Sequence, residues 1–92
     1  MNKGQVIDLV AAKAGTTKTV TDAVLSAALD VIAESVAGGD KVMFVGFGTF
    51  EARDRKAREG RNPKTGEVMD IPATVVPAFS AGKQFRDAVA RQ

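Results

Sequence analysis

The chain has 92 residues, with 13 Lys and Arg against 11 Asp and Glu for a net charge of +2, and no His, Cys, Trp or Tyr. Without cysteine there is no disulfide framework, thiolate nucleophile or zinc–thiolate site, and without histidine there is no Ser-His-Asp triad or His-rich metal site. The composition therefore points away from an enzyme, a small-molecule substrate, a metal or any other cofactor, and toward a single domain over 1–92 that is small for closing a core alone.

The opening Met1-Asn2-Lys3 runs straight into an amphipathic pattern with no apolar leader. No stretch approaches the roughly 18 apolar residues of a membrane span, so a cytoplasmic protein without a membrane partner is expected. A helix is expected from Lys3 to Ala14. Asn2 is its N-cap, Gln5 closes a capping box, and Val6, Leu9, Val10 and Ala14 recur at helical spacing before Gly15 ends it. A second helix follows over Lys18–Ala37, capped by Thr17 and stopped by Gly38-Gly39. Its apolar surface, from Val24 and Leu25 through Leu29, Val31 and Ile32 to Val36, is wider than one short helix covers. A DNA-reading helix-turn-helix is disfavoured, because Lys18 is the only basic residue on this helix whereas Asp22, Asp30 and Glu34 would face phosphate.

From Lys41 the apolar period changes to two. Val42 and Phe44, then Phe47 and Phe50, lie in runs broken by Gly46 and Gly48, which reads as a hairpin. The second strand runs past Phe50 into Glu51–Lys56 and loses its large apolar residues, so it leaves the core. Gly60-Arg61-Asn62-Pro63-Lys64-Thr65-Gly66 is dense in turn formers, and Met69 and Ile71 then alternate in a returning strand. The expected result is a protruding β-ribbon arm over 53–74. Val75, Val76, Ala78 and Phe79 return to the core, and Ser80 is expected to cap a last short helix containing Lys83, Phe85, Arg86 and Val89. The fold class is thus α+β. A helical body lies in 1–40, 41–52 with 75–92 supply a small antiparallel sheet and the C-terminal helix, and 53–74 forms the arm.

Charge supports this division. Residues 1–40 hold Lys3, Lys13 and Lys18 against Asp8, Asp22, Asp30, Glu34 and Asp40, a net charge of −2. Over 53–64, Arg53, Arg55, Lys56, Arg58, Arg61 and Lys64 face only Asp54 and Glu59, a net charge of +4. Such local asymmetry is characteristic of nucleic-acid binding. Arg side chains on a ribbon suit a DNA groove, with Arg53, Arg55 and Arg61 on one side and Lys56 and Arg58 on the other if the ribbon is regular. Pro63, rigid and lacking an N–H, suits a wedge between base pairs. Met69 and Ile71 serve as packing contacts of the ribbon and as candidate DNA contacts.

Gly46-Phe47-Gly48-Thr49-Phe50, followed by Arg55, Arg58 and Gly60-Arg61-Asn62-Pro63-Lys64-Thr65-Gly66, closely resembles the HU/IHF family of bacterial histone-like proteins. Met1-Asn2-Lys3, Ile71-Pro72-Ala73 and Val76-Pro77-Ala78-Phe79 with Gly82-Lys83 extend the resemblance over essentially the whole chain. The resemblance implies an intertwined homodimer, closest to HU, in the cytoplasmic nucleoid, that bends and condenses double-stranded DNA with little sequence preference. Its two arms enter the minor groove. Bent, nicked or gapped DNA is the favoured form, since part of the deformation is already present. Carried over residue by residue, Pro63 is the intercalating wedge, Arg61, Asn62 and Lys64 form the tip, and Arg53, Arg55 and Arg58 support it. Lys3, Lys83 and Arg86 meet flanking phosphates, and the Gly46 and Gly48 backbone N–H groups approach phosphate. Phe47, Phe50 and Phe79 match core positions, and Val75 and Ser80 depart from basic or polar residues common in relatives. Two alternatives stay open at this point: a sequence-specific bender of the same family, and an interaction module whose basic arm binds an acidic protein.

Overall fold

A computed structural model describes residues 1–91 as three helices and five strands. Two compact units divide at Glu34 and Ser35. In the first, helix α1 (Lys3–Ala14) starts from both halves of the expected capping box: Asn2 Oδ1 accepts from Gln5 N at 3.0 Å, and Asn2 N donates to Gln5 Oε1 at 2.9 Å. Gly15, at φ 71°, ends the helix by donating to the Ala11 carbonyl. Helix α2 (Lys18–Ala37) opens with Thr17 Oγ1 accepting from Val20 N at 3.1 Å. Lys18 pairs with Asp8 at 3.3 Å, and Lys3 donates to Ser26 Oγ at 2.7 Å. Both contacts link α1 to α2. Ala11 and Thr21 are buried, yet Leu9, Val24 and Val31 stay 58%, 64% and 59% exposed. No described helix is long and apolar enough to cross a membrane.

The second unit, from Ser35 onward, contains the last turn of α2, where Asp40 N donates to the Ser35 carbonyl. Strand β1 (Val42–Phe44), strand β2 (Gly48–Arg55), and the short strands β3 (Arg58–Arg61) and β4 (Val68–Ile71) follow, then β5 (Thr74–Ala81) and helix α3 (Lys83–Ala90). One antiparallel sheet has the order β1-β2-β5, and β3 with β4 forms a separate two-stranded ribbon. The register places Phe50 opposite Phe79, with ring centroids 4.7 Å apart, and Phe47 stacks on Phe85 of α3 at 5.0 Å. Phe44 joins edge-on, 6.4 Å from Phe50. The chain's five phenylalanines thus form one aromatic cluster, although Phe44 and Phe47 remain 46% and 48% exposed.

Two expectations change. The ribbon is not one ladder: pairing stops after Arg55↔Thr74 and resumes at Arg58↔Ile71, with Lys56, Ala57, Pro72 and Ala73 outside any strand. Pro72 has no N–H to give to a ladder. Ser80 is not a helix cap. It lies inside β5 opposite Thr49, and α3 begins after Gly82, which makes no side-chain cap.

Candidate nucleic-acid interface

The basic residues are presented by β2, the β3–β4 ribbon and its turn. Arg53 and Arg55 lie two apart on β2 and share a face of the three-stranded sheet, opposite Val76 and Thr74. They are not equivalent. Arg53 Nη2 donates to Ser80 Oγ at 2.7 Å and lies 3.1 Å from Glu51 Oε1, which also accepts from Arg53 Nε. Glu51 is further paired with Lys41 at 3.5 Å. The hydrogen bond from Arg53, with the Lys41 and Arg53 charges, holds the Glu51 carboxyl below its ordinary range against a smaller opposing desolvation. Among the described residues no ion pair engages Arg55, Lys56, Arg58, Arg61 or Lys64, and all five are exposed. Arg53 is therefore the arm arginine already held by protein, and the rest are open to an anion. The Glu51–Arg53 pairing was readable from the i, i+2 spacing on one strand face.

The tip is built by its own hydrogen bonds. Asn62 Oδ1 accepts from Lys64 N at 2.9 Å, forming an Asx turn, while Gly66 N donates to the Asn62 carbonyl at 2.7 Å. Asn62 N donates to the Glu67 carbonyl at 2.8 Å and closes the loop. Gly66 takes φ 74°, a left-handed conformation natural to glycine. Pro63 is exposed at the point where the turn requires no N–H, and the Asx turn orients the backbone on both sides of it. With Asn62 Oδ1 accepting from Lys64 N, the amide NH2 is the side chain's donor group.

The remaining expected residues are placed more diversely. Lys3 lies in the first unit, its ammonium engaged by Ser26 and 3.8 Å from Asp22. Lys83 and Arg86 are exposed on the first turns of α3. The Gly46 carbonyl accepts from Phe85 N at 3.1 Å, and Phe47 O accepts from Gly82 N at 2.7 Å, fastening the β1–β2 turn to the start of α3. Gly46 itself is at φ 83°. Gly48 is buried, and a Cβ there would lie 2.7 Å from the Ser80 carbonyl oxygen. Packing thus excludes a side chain at this second glycine. Met69 is exposed, opposite Gly60, and Ile71 is half-buried opposite Arg58. Among the described residues no cluster of three or more His, Cys, Asp or Glu forms a metal-binding group.

Comparison with known proteins places this arrangement. A family model described as "Bacterial DNA-binding protein" matches residues 1–90. DNA-binding protein HU of Nostoc sp. is 68% identical over 90 residues, covering 98% of this chain and 96% of that relative. The HU of Synechocystis sp. is 62% identical over 96 residues, covering 98% and 96%. Among solved structures, an Anabaena HU–DNA cocrystal structure superposes with a TM-score of 0.94 at 66% identity, covering all of both chains. HU from Thermotoga maritima gives 0.70 at 36% identity over 97% of this chain and 98% of that one. With the family model spanning nearly every residue and relatives this similar over their full length, the chain belongs to the HU/IHF family of bacterial DNA-binding proteins.

Proposed function

We propose that this protein is a non-enzymatic architectural DNA-binding protein of the nucleoid, a homodimer that bends and condenses duplex DNA with little sequence preference. One observation carries the reading: Arg55, Lys56, Arg58, Arg61 and Lys64 are exposed and, among the described residues, free of carboxylate partners along a ribbon ending in an exposed proline. A strip of uncompensated cations attracts phosphate and releases counterions, an attraction that carries no sequence information. In the minor groove Arg61 and Asn62 offer hydrogen-bond donors to base acceptors, and Pro63 wedges into a base step. Arg53, Arg55 and Arg58 support the ribbon, Met69 and Ile71 contact sugars, and Lys3, Gly46, Gly48, Lys83 and Arg86 extend the contact to flanking phosphates. With about four phosphate contacts per subunit, the slope of log K against log salt is expected near −7.

Wedging costs a few kcal/mol of stacking per step, so bent, nicked or gapped duplexes, which have lost part of that stacking, bind more tightly. For the same reason Pro63→Ala is expected to reduce DNA bending far more than overall affinity. Fluorescence transfer between the ends of a short duplex, measured at saturating protein, checks this. Wild-type bending by the variant would remove Pro63 from the mechanism. A gel-shift series with intact, nicked and gapped duplexes tests the preference for deformed DNA on the same samples.

A further inference from the structure

Met1, Met43 and Met69 hold all the sulfur of a chain that has no cysteine. The three are 86%, 68% and 48% exposed. Exposure alone gives Met69 no priority, but its neighbours do. Residues paired across an antiparallel ladder project to the same side, and the side alternates along each strand. The register Arg58↔Ile71, Glu59↔Asp70 and Gly60↔Met69 therefore puts Arg58, Met69 and Ile71 on one side of the β3–β4 ribbon. The cross-strand partner of Met69 is Gly60, which has no side chain to cover a thioether. Ile71 leans into that space, its Cδ1 2.8 Å from where a Gly60 Cβ would stand, and Met69 Cγ lies 3.9 Å from the same point. Arg58 is the diagonal neighbour of Met69, a separation that long side chains span. Among the described residues Arg58 has no carboxylate partner. Met43 is placed differently, in β1 opposite Thr49, with no arginine in its ladder.

We propose that Met69 is a site of reversible oxidation by hydrogen peroxide, and that its sulfoxide weakens DNA binding by taking hydrogen bonds from Arg58. The proposal rests on the DNA-binding reading above and adds a regulation to it. A sulfur lone pair attacks one peroxide oxygen, and the S–O bond forms as the O–O bond breaks. The attacked oxygen gives its proton to the departing hydroxide, which leaves as water. Sulfur is thereby oxidised by two electrons and the peroxide reduced by two. A thiol-dependent sulfoxide reductase reverses the step, releasing the oxygen as water. The thioether is a weak acceptor, whereas the sulfoxide is polar and its oxygen accepts from N–H donors. A guanidinium engaged by that oxygen has fewer donors left for phosphate. The oxidised Met69 is thus a positioning residue, acting on DNA through Arg58.

The test treats the purified protein with hydrogen peroxide and reads oxidation at each methionine by peptide mass spectrometry. Affinity for a mixed-sequence duplex is then measured over a salt series, each variant against its own untreated form. Oxidised wild type is expected to bind about tenfold less tightly near 0.1 M salt, with a log–log slope flatter by about 1–2. Met43→Leu should lose as much on oxidation, and Met69→Leu less than about twofold. In Arg58→Ala the loss should fall below about threefold, the coupling expected of two residues that act together. A methionine sulfoxide reductase with a thiol should restore the oxidised wild type. Met69 left unoxidised, unchanged affinity after its oxidation, or an equal loss in Met69→Leu overturns the proposal. A full loss in Arg58→Ala refutes the route through Arg58. Untreated wild type that leaves the duplex unbound would instead overturn the DNA-binding reading itself.

Discussion

Replacing Arg55 and Arg58 together by Ala is expected to lower affinity for duplex DNA roughly a thousandfold near 0.1 M salt, and to flatten the log–log salt slope by about 3.6. The reasoning is electrostatic. Two arginines per subunit are four per proposed homodimer, and each phosphate contact contributes about 0.9 to the slope with the corresponding counterion release. Neither side chain is paired with a carboxylate among the described residues, so no internal partner is left uncompensated by the substitution. The loss should be similar on all sequences, because phosphate contacts carry no base information. Titrations by fluorescence anisotropy at several salt concentrations measure both quantities. An unchanged slope would exclude these residues from phosphate contact. Arg53 makes an instructive comparison: already hydrogen-bonded to Glu51 and Ser80, it must exchange those partners for phosphate, and its removal should matter less.

The second large effect concerns stability. Leu9, Val24 and Val31 are more than half exposed, and only Ala11, Thr21, Val36 and Gly48 are buried among the described residues. A chain that leaves this much apolar surface in water gains little from folding alone, and a second copy is the natural cover. Folding and dimerisation should then be one transition. Raising protein concentration a hundredfold stabilises such a dimer by about 2.7 kcal/mol, which corresponds to a rise of roughly 5–10 °C in the unfolding midpoint. Calorimetry across that concentration range measures it, and a concentration-independent midpoint contradicts obligate dimerisation.

The helices were the most legible part of the sequence. Lys3–Ala14 and Lys18–Ala37 have the expected bounds because both are punctuated locally, by Asn2 with Gln5, by Gly15 and by the Thr17 hydroxyl. The strand order was less legible, since β2 pairs with β5 across the entire arm and no local signal marks a partner that distant. Ser80 misled for a definable reason. A hydroxyl shortly before a helical pattern resembles an N-cap, but here β5 continues to Ala81 and the hydroxyl serves Arg53 instead. The basic residues of the arm were visible in the charge run. Their inequality was not visible there, because it depends on Glu51 sharing a strand face with Arg53 by i, i+2 spacing, which a charge count does not weigh.

The interruption between the two ladders, at Lys56–Ala57 and Pro72–Ala73, gives the arm a joint. A single uninterrupted ribbon would be a stiff lever, imposing one angle on whatever it grips. With two short ladders in series, part of any strain is taken up by rotation between them, while the hydrogen bonds within each stay intact. If the arms bend DNA as proposed above, the protein is expected to act as a compliant clamp whose imposed angle follows the flexibility of the DNA it meets. Single-molecule transfer measurements should accordingly find a broad range of bend angles that narrows on pre-bent duplexes. One sharp angle on every duplex would mean the joint is rigid.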